Sequence, residues 1–193
     1  MANVLFIVAH CDDECISMGG TLAKHVADGD TVQGLILSPG VGSRDGSTEG
    51  IPARIAMCDA ASKVIGYDVD VRSWPDQQFD TWSQLALNKT IESVVKEFHP
   101  DIVYTHWDQD NNLDHRLVSQ ACQVACRSVG ELFMGKPNGY WTNHHFGNSE
   151  MRDVSDVLDV KQKALDCYWD ELGEVVADPY EGFYQIVWTR GTL

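Results

Sequence analysis

The chain has 193 residues, 44% of them hydrophobic, which suits one domain with a substantial core and argues against disorder. Its 14 Lys and Arg against 29 Asp and Glu give a formal net charge of −15, a field that repels nucleic acid and anionic membranes but leaves small neutral ligands unaffected. No apolar run reaches the length of a membrane span, and the N-terminus enters the first predicted strand without a basic, cleavable leader, so a soluble cytoplasmic protein is expected.

The first element, Asn3 to Ala9, is β-branched, aromatic and apolar on both faces, as a buried parallel strand requires. It ends at His10-Cys11-Asp12-Asp13-Glu14, an imidazole and three carboxylates crowded together. Adjacent carboxylates repel and raise each other's pKa unless a cation intervenes, and a divalent metal is the simplest such cation. In open α/β sheets this strand end is where ligands bind. Met18 to Val26 reads as a helix closed by Asp28-Gly29-Asp30, and Thr31 to Leu37 as a second strand completing a βαβ unit. The exit Ser38 to Ser43 is glycine-rich, but a dinucleotide fingerprint would directly follow the first strand, where His10 to Glu14 stands.

Ile51 to Ile65 reads as a helix ended by Gly66, Val69 to Val71 as a short strand, and Trp74 to Phe79 as a loop. Arg54, one turn into that helix, reads from position alone as surface charge. Trp82 to Phe98 has helical spacing and stops before Pro100; Asp101 to Thr105 is then the fourth strand. A loop from His106 to Arg116 carries chemistry, and an amphipathic helix, Leu117 to Val129, follows it. Leu132 to Met134 and Met151 to Val154 are short strand candidates flanking a pocket-shaping loop, Gly135 to Ser149, with His144 and His145. Ser155 is expected to cap a helix from Asp156 to about Glu171, and Asp178-Pro179 to start a last helix through Val187.

Six cysteines scattered through a domain of this size read as reduced thiols, with Cys122 and Cys126 as buried small side chains. A hydrolytic zinc site needs three protein ligands and an open position for water. His10, His115 and one of the paired aspartates supply such a set, the other aspartate being free to take a proton. Taken singly, His106, His144 and His145 read as ordinary loop histidines.

Ala9 to Glu14, Met18 to Ala23 and Asp114-His115-Arg116 together resemble the PIG-L/LmbE family of zinc-dependent N-deacetylases. Weaker likenesses at Ser38-Pro39-Gly40, Arg54, Pro75-Asp76, Lys161 to Leu165 and Glu181-Gly182-Phe183 extend this over nearly the whole chain. The resemblance implies a single LmbE-like domain over residues 1–193: a Rossmann-like three-layer α/β sandwich, its mostly parallel sheet flanked by helices on both faces. It implies removal of the N-acetyl group from an N-acetylglucosamine-type amino sugar or conjugate, and leaves room for a homo-oligomer. His10, Asp13 and His115 would be the ligands of Zn²⁺ or another divalent metal, Asp12 the general base, and Asp114 the residue orienting a ligand. Arg54 becomes a sugar contact, with His144 and His145 as further substrate-binding candidates.

The chain departs from the family pattern at Cys11, where packing is expected, and at Asn112, where the family often has a histidine. An amide donates a hydrogen bond but cannot be an imidazolium. Either Asn112 does that job, or His106, His144 or His145 supplies the imidazole, with the His144-His145 loop favoured. Two other functions stay open: an amidase on a thiol or lipid sugar conjugate, and a catalytically weak sugar- or metal-binding protein. Trp74, Tyr140 and Trp141 could stack on a sugar, and the lack of basic clusters in the pocket loops disfavours a nucleotide diphosphate-sugar.

Overall fold

In the computed structural model, residues 1–43, 49–136 and 150–186 are described. Seven strands form one sheet in the order β3-β2-β1-β4-β5-β7-β6. The first five in that order are parallel: β3 (Asp68–Val71), β2 (Thr31–Ser38), β1 (Asn3–His10), β4 (Ile102–His106) and β5 (Glu131–Gly135). Then β7 (Tyr180–Ile186) and β6 (Glu150–Asp153) close the edge antiparallel.

The apolar run of β1 is buried on both faces because each face meets a helical layer. Val4, Phe6 and Val8 pack under α1 (Asp13–Ala27), α2 (Ile51–Ile65) and α5 (Leu158–Asp166), with Met18, Leu22, Cys58 and Leu165. Leu5, Ile7 and Ala9 point the other way, toward Leu87, Ile91, Val118 and Cys122 of α3 (Gln84–Phe98) and α4 (Leu113–Ala125). This is the expected three-layer α/β sandwich. All six cysteines are free thiols. Among the described residues no helix is long and apolar enough to cross a membrane.

Four elements differ from the sequence reading. Helix α1 begins at Asp13 and α4 at Leu113, each about a turn earlier than hydrophobic spacing predicts, because their first turns are polar and face a cleft. Ser155 lies in a 3₁₀ turn (Ser155–Val157), and the helix after it breaks into α5 and a short α6 (Trp169–Leu172). The predicted last helix is instead β7, which inserts between β5 and β6 with Phe183 opposite Gly135 and Glu150. Asp178-Pro179 just before it mimics a helix start, but Gly182 and the aromatics around it suit a half-buried pleat.

From β1 the chain winds outward through β2 and β3, then returns to place β4 on the other side of β1. The crevice beyond the carboxyl ends of β1 and β4 is the switch point where such sheets bind ligands.

Candidate metal centre at the β1–β4 switch point

Strand β1 ends on His10, and the chain turns sharply at Asp12, whose φ of 110° lies in the left-handed region. The turn is tied by the Asp12 N–H donating to Glu14 Oε2 (3.0 Å) and the His10 N–H donating to Asp13 Oδ2 (2.8 Å). Glu14 is fully buried, and its Oε1 also accepts from the hydroxyls of Tyr168 (2.8 Å) and Tyr67 (3.3 Å). It is therefore a structural hub that fixes the turn from below. Gly40, in the β2 exit, presses on the opposite side: a Cβ there would stand 2.9 Å from the His10 Cβ.

From the other side of the crevice, Asn112 caps α4 by accepting the Asp114 N–H at 2.9 Å, which sets Asp114 and His115 in the first turn. The side chain of His115 thereby reaches β1. His10 Nδ1 and His115 Nε2 are 3.3 Å apart, His115 Nε2 and Asp13 Oδ1 3.3 Å, and His10 Nδ1 and Asp13 Oδ2 3.5 Å. Donors about 2.0–2.1 Å from a tetrahedral zinc are separated by roughly 3.3 Å, so this triangle matches one face of such a site.

Carboxylates back both imidazoles. His10 Nε2 lies 3.1 Å from Asp114 Oδ2 and 3.1 Å from Asp76 Oδ1, and His115 Nδ1 lies 3.1 Å from Asp110 Oδ2. Asp114 is held in turn by the N–H groups of Gln77 (2.7 Å) and Phe79 (3.2 Å), and Asp76 by the Ser43 N–H (2.7 Å). Backing of this kind sets the tautomer and orientation of a metal-ligating histidine.

The electrostatics carry the same message. Burial works against a charged His10, yet its bonds to Asp114, Asp13 and Asp76 hold it well above the usual histidine value. Burial likewise opposes charge on His115, but Asp13 and Asp110 raise it to about 9. Burial favours a neutral Asp13, while the charge of His115 and the bonds to His10 and His115 hold it well below the carboxylate range. The pocket thus draws positive charge onto two imidazoles at once, a demand that one divalent cation meets. The described residues fit a divalent metal, with His10, Asp13 and His115 as the candidate ligands.

Asp12 stands beside this set without belonging to it. Its Oδ2 receives Arg54 Nη1 at 2.9 Å, and the same Nη1 donates to the Cys11 carbonyl at 3.0 Å. Burial and the neighbouring Asp13 push Asp12 up and Arg54 pulls it down, leaving it at about 7. Arg54 is 4% exposed and belongs to the cleft, not to the outer surface that its position in the sequence indicates.

Two groups carry no role in the sequence reading. Asp76 and Asp110 enter it only as members of the Trp74–Phe79 and His106–Arg116 loops, because which loop carboxylate meets His10 or His115 is decided by the folded chain. His106 is placed by β4 at the floor of the cleft, stacked on His115 with ring centroids 3.9 Å apart and planes 8° from parallel. Burial, reinforced by the charge of His115, holds it well below the usual histidine value. His144, His145, Tyr140 and Trp141 lie outside the described residues.

The cleft encloses about 350 Å³ and is lined by Asp12, Arg54, Asp76, His106, Asn112 and His115, among others. That is ample for a small ligand.

Comparison with known proteins bears on the family and the fold. The family model described as PIG-L, GlcNAc-PI de-N-acetylase, matches residues 5–126. An uncharacterized deacetylase of Escherichia coli is 30% identical over 147 residues, covering 72% of this chain and 76% of its own. N,N′-diacetylchitobiose deacetylase of Pyrococcus horikoshii superposes with a TM-score of 0.76 at 19% identity, over 96% of this chain and 84% of that one. The 4-carboxy-2-hydroxymuconate hydratase of Pseudomonas putida superposes with a TM-score of 0.78 at 20% identity, over 100% and 99% of the two chains. At these identities the two structures attest the fold.

Proposed function

Because the chain belongs to the PIG-L family, we propose that it is a zinc-dependent N-deacetylase acting on an N-acetylated amino sugar of the N-acetylglucosamine type or its conjugate. The fold is common to a hydratase and to deacetylases, so the choice rests on the site. One observation carries it: three donors 3.3–3.5 Å apart stand beside a fourth group, Asp12, that is tethered away from them by Arg54. Acyl hydrolysis by a metal needs both parts, a ligand face and an independent base.

His10, Asp13 and His115 would hold the ion, which when bound supplies a Lewis acid for the acetyl carbonyl and an acidified water. Asp12 takes the proton of the attacking water and delivers it to the departing amine nitrogen. A value of about 7 suits a group that must both accept and release a proton near neutrality. Arg54 keeps the Asp12 carboxylate turned into the cleft, and Asp114 and Asp110 keep the two imidazoles turned toward it. The free cysteines suit a reducing compartment such as the cytoplasm.

The test joins metal analysis of the purified protein to an amine-release screen over N-acetylglucosamine, N,N′-diacetylchitobiose and thiol- and lipid-linked N-acetylglucosamine conjugates. One divalent ion per chain and amine release from the first two are expected. Asp12→Asn, a change that the left-handed backbone tolerates, should keep the ion and lose roughly 10²- to 10⁴-fold in kcat. Saturable sugar binding with no amine released by the metal-loaded protein would make it a binding protein instead.

A further inference from the structure

Three large apolar side chains stand exposed beside the cleft: Trp82, at 53%, Leu85 and Leu113. Trp82 ends the segment that leaves the cleft lining at Gln77 and runs through a 3₁₀ turn, Phe79–Thr81. Leu113 opens α4 directly after Asn112, another lining residue. Leu85 lies in the first turn of α3, where Gln84 Nε2 donates at 3.2 Å to the Leu117 carbonyl, one turn along α4 from Leu113. Exposed apolar side chains gathered at the rim of a cleft mark a contact surface, which single scattered ones do not.

This surface is braced against the metal centre. The indole of Trp82 lies against Trp74 (ring centroids 5.1 Å apart, planes at 40°), Trp74 meets Phe79 edge-on at 5.5 Å, and Phe79 stands 5.9 Å from the His10 ring. With one face turned to Trp74 and about half its surface exposed, Trp82 offers its other face to solvent. The segment before it is pinned by Asp114, which accepts the N–H groups of Gln77 and Phe79 and also backs His10. Gln77 is held there at a φ of 55°, in the left-handed region that a glutamine rarely adopts. One carboxylate thus sets both the orientation of His10 and the place of the outer indole relative to it.

We propose that Trp82 is the stacking platform for a second pyranose ring, so that the favoured substrate is an N-acetylated oligosaccharide whose terminal acetamido group enters the metal cleft. This rests on the deacetylase reading above. A pyranose turns a face of C–H groups to an indole while its hydroxyls stay in water, and a ring already braced in position loses little freedom on binding it. Beside the indole, Gln78 and Asp80 are exposed and polar and suit those hydroxyls, whereas an alkyl chain needs a continuous apolar wall. The net charge of −15 works against anionic conjugates and leaves a neutral oligosaccharide unaffected.

The test compares amine release from β-linked N-acetylglucosamine oligomers of one to four units by the parent, Trp82→Ala and Trp82→Phe at equal metal content. In the parent, kcat/KM should rise roughly 3- to 10-fold from the monomer to the longer oligomers; Trp82→Ala should flatten that rise through KM, and Trp82→Phe should keep most of it. In the slow Asp12→Asn background, the indole N–H resonance that Trp82→Phe removes should shift on adding the trimer. A rise that Trp82→Ala leaves intact would overturn the proposal. Equal losses on monomer and trimer, with metal lost, would make Trp82 a brace of the Gln77–Phe79 segment and overturn it too. So would a changed oligomeric state of Trp82→Ala in light scattering, which would mark a contact between copies, or a larger loss on an octyl N-acetylglucosaminide than on the trimer, which would mark an alkyl contact. If the unsubstituted protein released no amine from any N-acetyl sugar, the deacetylase reading itself would fall; an active enzyme indifferent to chain length would overturn the platform alone.

Discussion

Replacing Arg54 with methionine should move the acid limb of the pH–rate profile upward without releasing the metal. The guanidinium lies 2.9 Å from the Asp12 carboxylate inside a cleft where both are shielded from bulk water, and with that cation present Asp12 stands at about 7. An adjacent arginine depresses a carboxylate by about one to three pH units, so without it Asp12 should titrate at about 8 to 10. A base works only when ionised: raising its pKa therefore removes activity at neutral pH and leaves it recoverable on the alkaline side. Without the ion the ionised fraction at pH 7 would fall from about one half to about one tenth or less; in the metal-loaded enzyme the acid limb is displaced upward by roughly the same one to three pH units. A bound divalent cation lowers Asp12 in both proteins alike, so the prediction lies in the difference between the two profiles. The assay is kcat and kcat/KM for amine release from pH 5 to pH 9.5, with metal content checked at each end. An acid limb that stays in place while KM rises tenfold would refute the reasoning and make Arg54 a substrate clamp.

Asp114→Asn should weaken metal affinity by roughly 10- to 100-fold in a competitive chelator titration while circular dichroism stays unchanged, because it removes the charge behind His10 Nε2. Unchanged affinity would deny Asp114 that role. Gly34→Ala places a Cβ 2.1 Å from the Phe6 ring across the β1–β2 pair, and should lower urea stability by about 1–3 kcal/mol, with Phe6→Leu in the same background recovering part of it. Lys161→Met strips the partner 2.7 Å from buried Glu181, whose two oxygens also receive the Gly20 and Thr21 N–H groups; a loss of about 3–5 kcal/mol is expected, and Glu181→Gln should regain only part of it, because the amide removes the unpaired charge but can accept only one of the two N–H groups.

Most of the sheet could be read along the chain because β1, β2 and β4 are continuous apolar runs, and α2 has a clean stop at Gly66. What escaped reading depends on partners remote in sequence. β7 is a strand because β5 and β6 offer it two edges, whereas Asp178-Pro179 just ahead of it points to a helix. The first turns of α1 and α4 are polar because they carry Asp13, Asp114 and His115, so amphipathic spacing starts only one turn later. At the site, His10, His115 and the aspartate pair stand out in the sequence, with Asp13 named as ligand by the resemblance, whereas Asp110 behind His115 and the Asp76 contact with His10 required the folded chain. Arg54 shows the same limit: the sequence assigns it to a sugar by likeness, and the structure aims its guanidinium at Asp12.

His10 and His115 face each other across 105 residues of chain, one at the end of β1 and the other on α4. An ion gripped by both binds only when the two halves of the sheet are assembled, so its binding free energy is added to the stability of the native state. At free metal a hundredfold above the dissociation constant, that linkage amounts to about 2.7 kcal/mol. For a chain of this size such a gain corresponds to a melting temperature higher by roughly 5–10 °C. Metal supply would then govern how long the folded protein survives as well as how fast it turns over, and a thermal shift on adding zinc would register assembly of the site before any substrate is known.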